Sequence, residues 1–360
     1  MQLRGLGVLQ VEPTDHCNLS CRMCAPHFER WETVHGVRKG FLDPVLWGSI
    51  VDGMVRDQLS LDHIIFQWLG DPSLHPQLHA LVGTAIERLR GQVNYLRIDT
   101  NGILLTPARI DQLLSVAGHV TEDGPPLLVV FTVDAHTPGT YSRVKGRDAL
   151  PRVRKHLRYL IRQRAVLQRA VNLQIQFVVQ AENHHEIADF YRYWSDLLRC
   201  QGGSGWHDEV MFKRLSVGGG AEGQSAADDL YEAAIIKSGV KAGFDGAVNV
   251  LTWERRPWQQ DDGHQGERSA CPGLWMTPVI RHDGQLMMCC ADLGGELALG
   301  SLQERSFSEL WWGDRATAHR RSHLAGRFEG VCAGCGGINW YALTEETIAD
   351  AERRAELPQR

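Results

Sequence analysis

Short apolar runs recur through the first 215 residues, each followed by a stretch with helical periodicity. The series opens at 7–12 (GVLQVE) and continues near 63–68 (HIIFQW), 94–99 (NYLRID), 127–133 (LLVVFTV), 172–179 (NLQIQFVV) and 209–215 (EVMFKRL). Runs of this length, rich in β-branched and aromatic residues, predict strands. Between them, apolar positions at helical spacing predict helices over 43–58, 76–90, 106–117, 148–168 and 184–199. Strands alternating with helices imply βα units, hence an α/β fold with a parallel sheet and helices on its outside. Six such strands fit a partial (β/α)6 TIM-like barrel, whose working residues stand in the loops after the strands.

The rhythm stops near residue 217. VGGGAEGQSAADD reads as a loop or hinge, and a short helical stretch follows at 226–238. TWERRPWQQDDGHQGERSA sets Trp253 and Trp258 among charges. It reads as a surface linker, with a substrate-covering loop as the sharper alternative. A cysteine-rich module occupies 271–340, and ALTEETIADAERRAEL closes the chain as a solvated helix. The expected organisation is a core over 1–220, a linker over 221–270, the module over 271–340 and a C-terminal helix over 341–360.

Charge and composition narrow the partners. Lys and Arg total 38 against 43 Asp and Glu in 360 residues, for a net −5. No global basic field favours a nucleic-acid partner. No apolar run approaches the roughly 18 residues that span a bilayer, and MQLRGLGVLQVEP lacks a signal-peptide cleavage site. A cytoplasmic protein without membrane association is expected. Its 9 cysteines are an odd number, so metal or redox chemistry explains them better than a disulfide framework.

DHCNLSCRMC places Cys17, Cys21 and Cys24 at C-x3-C-x2-C in the loop after the first strand. Zinc sites pair such cysteines with a second pair nearby, and no fourth ligand is close in sequence. Three thiolates on one loop can instead hold three irons of a [4Fe–4S] cube and leave the fourth iron open. The alternative is a zinc loop that borrows a distant ligand.

This segment resembles the signature of the radical S-adenosylmethionine (SAM) enzymes, and further landmarks follow in order over about 10–217. LGDPSLHP (69–76) is similar to the family's Gly-Gly-Glu-Pro segment, with Leu69-Gly70-Asp71 in place of Gly-Gly-Glu. DTNGILL (99–105) is similar to its Thr-Asn-Gly turn. FTVDAHTPGTYSRVKG (131–146) resembles its Ser-x-Asp…Tyr…Arg-Gly stretch, and FVVQAENHHE (177–186) stands where the fifth strand approaches ribose and adenine. Met23 replaces the aromatic often found before the third cysteine. The resemblance implies SAM on the open iron, cleaved by one electron to a 5′-deoxyadenosyl radical that takes a substrate hydrogen atom. It assigns cofactor-binding roles to Met23, Gly70, Asp71, Thr100, Asn101, Asp134 and Gln176. Lys213 and Arg214 end the sixth strand, where a barrel presents working residues, so Lys213 is expected to contact substrate or SAM.

In the C-terminal module, Cys271 and Cys289 flank a hairpin-like stretch turning at Asp283-Gly284, and Cys332 and Cys335 form a C-x2-C knuckle. Spacing alone admits zinc or a fully ligated iron–sulfur cluster. Beside the first segment, the module resembles the SPASM/twitch extension, and Gly284 precedes Cys289 at the family's spacing. No cysteine follows Cys335, which matches the shorter twitch form with one auxiliary [4Fe–4S] cluster on Cys271, Cys289, Cys332 and Cys335. That leaves Cys200, read as passive, and Cys290. The latter is idle, a substitute ligand, or a hydrogen-atom donor to a substrate radical.

PRVRKHLRYLIRQRAVLQRA (151–170) holds many Lys and Arg and no acid. Val153, Leu157, Leu160, Ile161 and Leu167 are expected to pack inward, leaving a solvated basic face. Docking of an acidic flavodoxin- or ferredoxin-type reductant, or of an acidic peptide leader, is the minority alternative. His184 and His185 read as solvated. Trp68, Trp275, Trp311 and Trp312 read as core. The chain starts within about ten residues of the first strand, which tilts the substrate toward a sugar- or cyclitol-type small molecule over a peptide. The outcome expected is oxidation, with epimerisation, peptide maturation and a non-catalytic metal protein as the competing readings.

Overall fold

The computed structural model describes residues 6–24, 39–120, 124–201, 207–216, 221–245, 248–253, 268–335, 337 and 341–356. Its parallel strands are β1 (Leu6–Val11), β2 (Leu61–Phe66), β3 (Val93–Thr100), β4 (Leu127–Thr132), β5 (Val171–Val179) and β6 (Glu209–Arg214). The later strands are β7 (Gly243–Phe244), β8 (Asn249–Thr252), β9 (Val279–Ile280), β10 (Gln285–Met287) and β11 (Ala298–Ser301). They form one sheet in the order β11-β10-β9-β1-β2-β3-β4-β5-β6-β8-β7. Because β1 through β6 run parallel, their C-terminal ends lie together on one rim.

The helices are α1 (Pro44–Arg56), α2 (Leu78–Arg88), α3 (Pro107–Val116), α4 (Pro138–Lys145), α5 (Leu150–Val166), α6 (Ile187–Gln201) and α7 (Ala221–Ser238). After them come α8 (Gly273–Met276), α9 (Phe307–Trp311), α10 (Asp314–Leu324) and α11 (Glu345–Glu356). Helix α1 starts where Asp43 accepts hydrogen bonds from the amides of Val45 and Leu46, with Pro44 at its first position. It then buries Trp47, Ile50, Val51 and Met54 against the sheet at helical spacing. Helix α4 was absent from the periodicity because it is short and polar. Its signals are local: Thr137 caps it, Pro138 follows, and Gly146 ends it at φ +73°.

Strand parity sorts the sheet into two unlike faces. One face carries Leu9, Val11, Ile64, Phe66, Leu96, Ile98, Val129, Phe131, Ile175, Phe177, Val210 and Phe212, all in the main apolar core. The other mixes Val8, Ile65, Leu128, Val130, Val178 and Met211 with the polar Gln10, His63, Tyr95, Arg97, Asp99, Thr132, Gln174, Gln176, Glu209 and Lys213. A barrel wall packed on its helices keeps its main apolar core outside. The polar positions of the inner face are left for something other than packing.

Four expectations change. Residues 221–270 are not simply a linker, because α7 and β8 continue the βα pattern and β8 pairs parallel with β6; the stretch 254–267, including Trp258, lies outside the described residues. The basic face of α5 is not wholly solvated. Arg164 is fully buried and forks onto Asp208, with an Nη1–Oδ1 bond of 2.7 Å. Leu167 is 43% exposed because it falls beyond the last helical turn. The C-terminal helix α11 is not free in solvent: Arg354 stands over the Trp312 ring at 4.7 Å, and Ile348 and Ala351 pack on the core.

The C-terminal module joins the same sheet. β9 pairs parallel with β1 through Gln10↔Val279 and Val11↔Ile280, then turns into antiparallel β10. Gly284 makes the turn at φ +83°, the left-handed conformation that glycine adopts without strain. Trp68, Trp275, Trp311 and Trp312 are all buried.

Candidate functional site

Three neighbouring loops hold the first cysteine loop on the rim. The Asp71 amide donates to the His16 carbonyl at 2.9 Å, Asn101 Nδ2 donates to Asn18 Oδ1 at 2.8 Å, and the Arg22 amide donates to the Val144 carbonyl at 3.4 Å. Gly70 makes this approach possible. A Cβ there would lie 2.3 Å from the Thr14 carbonyl oxygen and 2.5 Å from that of His16. From the other side, Thr14 Oγ1 donates to the Gly40 carbonyl at 2.6 Å and His16 stacks on Phe41 at 4.7 Å.

Asp71 organises two of these loops from within. Its Oδ1 accepts from the Ser73 amide and hydroxyl and from Thr100 Oγ1, and its Oδ2 from the Asn101 amide at 2.7 Å. The carboxylate is therefore occupied inside the protein. Asn101 closes the turn, with Oδ1 accepting from the Ile103 amide at 3.0 Å.

Burial pushes the Cys17 thiol up to about 12, reinforced by Asp71 and by the Cys21 and Cys24 charges. It raises Cys24 to about 11, with Cys21 adding to the effect. Cys21 is raised by burial as well, against the pull of Lys145. Thus the three thiols feel one another's charge in a poorly solvated loop. Thiolate, not thiol, is the metal ligand, and bound iron supplies the positive charge that relieves this repulsion. The loop fits an iron–sulfur cluster on that ground. Among the described residues, no group of three or more His, Cys, Asp or Glu converges on a single ion.

Lys145 sits beneath this loop, fully buried and ion-paired with Asp134. Burial alone would lower its pKa, but Asp134 and the Cys21 thiolate outweigh it, so the ammonium is held above its ordinary value. Asp134 adopts φ +59° and accepts from the Val178 amide at 2.6 Å. Sequence reasoning quoted this segment but did not single out Lys145; its signal was its position just before Gly146. Tyr141 is also buried beside the pair, with its hydroxyl unpartnered and its pKa pushed up to about 12 by burial. Met23 points to Gln180, whose Nε2 lies 3.8 Å from the sulfur.

The inner face lies below. Arg97 and Asp99 form a two-pronged pair at 2.6 Å for each bond, and Gln174 Nε2 donates to Glu209 Oε2 at 2.5 Å. The side-chain oxygens of Gln10, Gln174 and Gln176 are buried without partners. Buried polar atoms are rarely left so, which marks this face as a place for a polar ligand.

At the other site, burial and the charges of Cys289, Cys335 and Cys271 push Cys332 up to about 11, so the four thiols stand close enough to sense one another. The Ala291 amide donates to Cys289 Sγ and the Gly337 amide to Cys335 Sγ, each at 3.4 Å. Amide donors of this kind stabilise sulfur that carries negative charge. The Cys290 thiol hydrogen-bonds to Cys289 and, ahead of burial, raises it. Cys290 packs on the cluster of Trp68, Val279 and Met287, and its carbonyl accepts from Trp68 Nε1 at 2.9 Å. Cys200 is exposed at the end of α6, apart from both groups.

The structure is a partial α/β barrel with three thiols on its rim, joined through one sheet to a module with four further thiols, giving two separate cysteine sites. Residues 271–336 match the SPASM family, described as an iron-sulfur cluster-binding domain. The "Tungsten-containing aldehyde ferredoxin oxidoreductase cofactor-modifying protein" of Pyrococcus furiosus is 28% identical over 193 residues, or 52% of this chain. The match covers 48% of that protein, so the chain spans about half the length of the curated relative. The structure of anSMEcpe with bound AdoMet is 14% identical, with a TM-score of 0.56 over 97% of this chain and 92% of that one. BtrN in complex with AdoMet and 2-DOIA aligns over 93% and 94% of the two chains at 16% identity and a TM-score of 0.47. The chain carries a C-terminal SPASM domain over residues 271–336, and its fold is similar to that of anSMEcpe. No helix among the described residues is long and apolar enough to cross a membrane.

Proposed function

We propose that this protein is a radical SAM oxidoreductase that oxidises a polar, sugar- or cyclitol-type small molecule. The reading rests most heavily on one observation, the buried and unpartnered amide oxygens of Gln10, Gln174 and Gln176 on the inner face of the sheet. An alcohol-bearing substrate supplies the donors those amide oxygens lack.

Cys17, Cys21 and Cys24 would each hold one iron of a [4Fe–4S] cluster, with the open iron taking the amine and carboxylate of SAM. Bound there and reduced by one electron, SAM supplies a 5′-deoxyadenosyl radical able to take hydrogen from carbon. Around it this chain positions and shields. Gly70 leaves room for backbone contact, while Asp71 holds Thr100 and Asn101 in place. Asp134, Gln176 and Met23 line the approach from the other strands, and the buried Lys145 ammonium keeps positive charge near the thiolates. Cys271, Cys289, Cys332 and Cys335 would hold the auxiliary cluster, a sink for the substrate's second electron. A flavodoxin- or ferredoxin-type reductant would supply the first.

Epimerisation is the second reading, and the position of Cys290 favours it. Its partly buried side chain packs against the Trp68–Val279–Met287 cluster, as does Leu69, the neighbour of Gly70, and a thiol there can return a hydrogen atom. A peptide substrate is the third; anSMEcpe is solved with AdoMet and the Cp18Cys peptide. Product analysis after anaerobic reconstitution separates them. Oxidation yields a product two mass units lighter, and epimerisation yields equal mass with one deuterium from D2O. Unchanged substrate beside steady 5′-deoxyadenosine formation across sugars and cyclitols would sink the proposal.

A further inference from the structure

We propose that Lys213 is the proton acceptor for the substrate hydroxyl, the group that turns hydrogen-atom abstraction into alcohol oxidation. The inference rests on the oxidation reading. Lys213 is the penultimate residue of β6, at the same end of the barrel as the cysteine loop. Its parity places it on the inner face beside Val178 and one pair along from Gln176. It is half-buried, and among the described residues no hydrogen bond or ion pair engages its ammonium group. The other cations near it are spoken for: Arg97 by Asp99, and Lys145 by Asp134.

Every charged group facing it is accounted for. Arg97 and Asp99 come from β3, Asp134 follows β4, and Glu209 shares β6 and bonds to Gln174. β5 presents Asn172, Gln174, Gln176 and Val178 on this face, none of them charged, and β8 presents Asn249 and Leu251. Burial and then Arg97 lower the lysine's affinity for its proton, with Asp99 and Asp134 opposing them only in part. An unpaired amine so placed resembles a tuned general base more than a structural cation.

The balance is simple. The carbinol C–H gives its hydrogen atom to the 5′-deoxyadenosyl radical, and the C–H bond of 5′-deoxyadenosine forms. The carbon radical left behind carries an O–H group. The Lys213 amine takes that proton, the remaining electron passes to an oxidised iron–sulfur cluster, and the C=O bond forms. The carboxylates of Asp99, Asp134 and Glu209 are each engaged by another side chain, so Lys213 is the unengaged base that would take the O–H proton.

Two measurements test this on the reconstituted full chain. With 13Cε-labelled lysine, the NMR signal missing from Lys213→Met should titrate below those of Lys39, Lys155, Lys237 and Lys241. A Lys213 signal that titrates with them overturns the proposal whatever the substrate. In turnover of perdeuterated myo-inositol with SAM and reductant, Lys213→Met and Lys213→Arg should both form deuterated 5′-deoxyadenosine. Ketone should fall by about 100-fold in each. Arginine keeps the charge but cannot accept a proton, so Lys213→Arg at more than a tenth of the wild-type ketone rate overturns the base role. A wild-type enzyme that epimerises the probe defeats the oxidation reading and this proposal together. Wild-type oxidation that persists in Lys213→Arg defeats the proposal alone.

Discussion

Around the N-terminal thiols a buried ion pair and a buried carboxylate stand beside a backbone amide, that of Leu19 on Cys17, whereas around the C-terminal thiols two amides point at sulfur and the charged groups are Arg268 and Asp292. Lys145, Asp134 and Asp71 surround Cys17, Cys21 and Cys24; at the module, the amides of Ala291 and Gly337 point at Cys289 and Cys335. The first loop hangs on a rim whose fold is already set by the apolar core, so a metal bound there would be an addition to a finished barrel. The second group closes a module of short strands and helices, so its metal contributes to folding itself. One site is built to receive something and the other to be complete.

The largest test of that contrast is to remove a thiol from each. Cys17→Ala, Cys21→Ala or Cys24→Ala should abolish 5′-deoxyadenosine formation while far-ultraviolet circular dichroism stays at wild type. Normal SAM cleavage in any one of them would break the assignment. Cys332→Ala or Cys335→Ala should remove about four irons, lower solubility and stop substrate turnover, yet leave partial SAM cleavage. A variant lacking those irons that still forms product at the wild-type rate would remove the electron-accepting role.

Asp71→Ala comes next. It strands donors on Ser73, Thr100 and Asn101 at once, so a loss of about 3 kcal/mol in urea unfolding is expected, together with weaker SAM binding. A smaller effect follows from His282, which reaches from the module to Glu12 at 2.9 Å just after β1. Burial alone would lower its pKa, but the Glu12 carboxylate outweighs burial and holds it above the ordinary value. The folded state therefore binds this proton more tightly than the unfolded chain. The stabilisation is complete below about pH 6.5 and is lost as pH rises through the raised value. His282→Gln should flatten that limb of the stability profile; an unchanged slope would refute the coupling. The smallest expected effect is at Cys290. Cys290→Ala should keep its iron and near wild-type oxidation. Intact clusters with SAM cleavage uncoupled from product would shift the reading to epimerisation.

Much of this was legible in the chain. The strands β1 to β6 were readable because buried parallel strands are short, apolar and bounded by turns. The cysteine spacing carried the first site, and the Asp283-Gly284 turn carried the hairpin of the second. What escaped depends on long-range pairing. Asp71 looks in sequence like a cofactor ligand, but its partners on Thr100 and Asn101 lie a strand away. Lys145 looks like one more basic residue until Asp134 is placed against it. Arg164 sits in a run of cations, and only the fold shows Asp208 meeting it at full burial. Strand β8 is too short to announce itself, and its identity comes from β6.

The pairing of β9 with β1 has one more consequence. The Gln10 amide donates to the Pro278 carbonyl and the Glu12 amide to the Ile280 carbonyl, joining the strand that leads into the first cysteine loop to the strand that leads toward Cys289. Electron tunnelling slows exponentially with the gap to be crossed, so a separation that drifted would make transfer erratic. A shared backbone ladder sets that gap when the chain folds, much as a printed circuit fixes the spacing of its contacts. On the proposed function, changing the register of β9 by insertion would therefore alter the rate of electron transfer between the two cysteine sites without touching a single thiol.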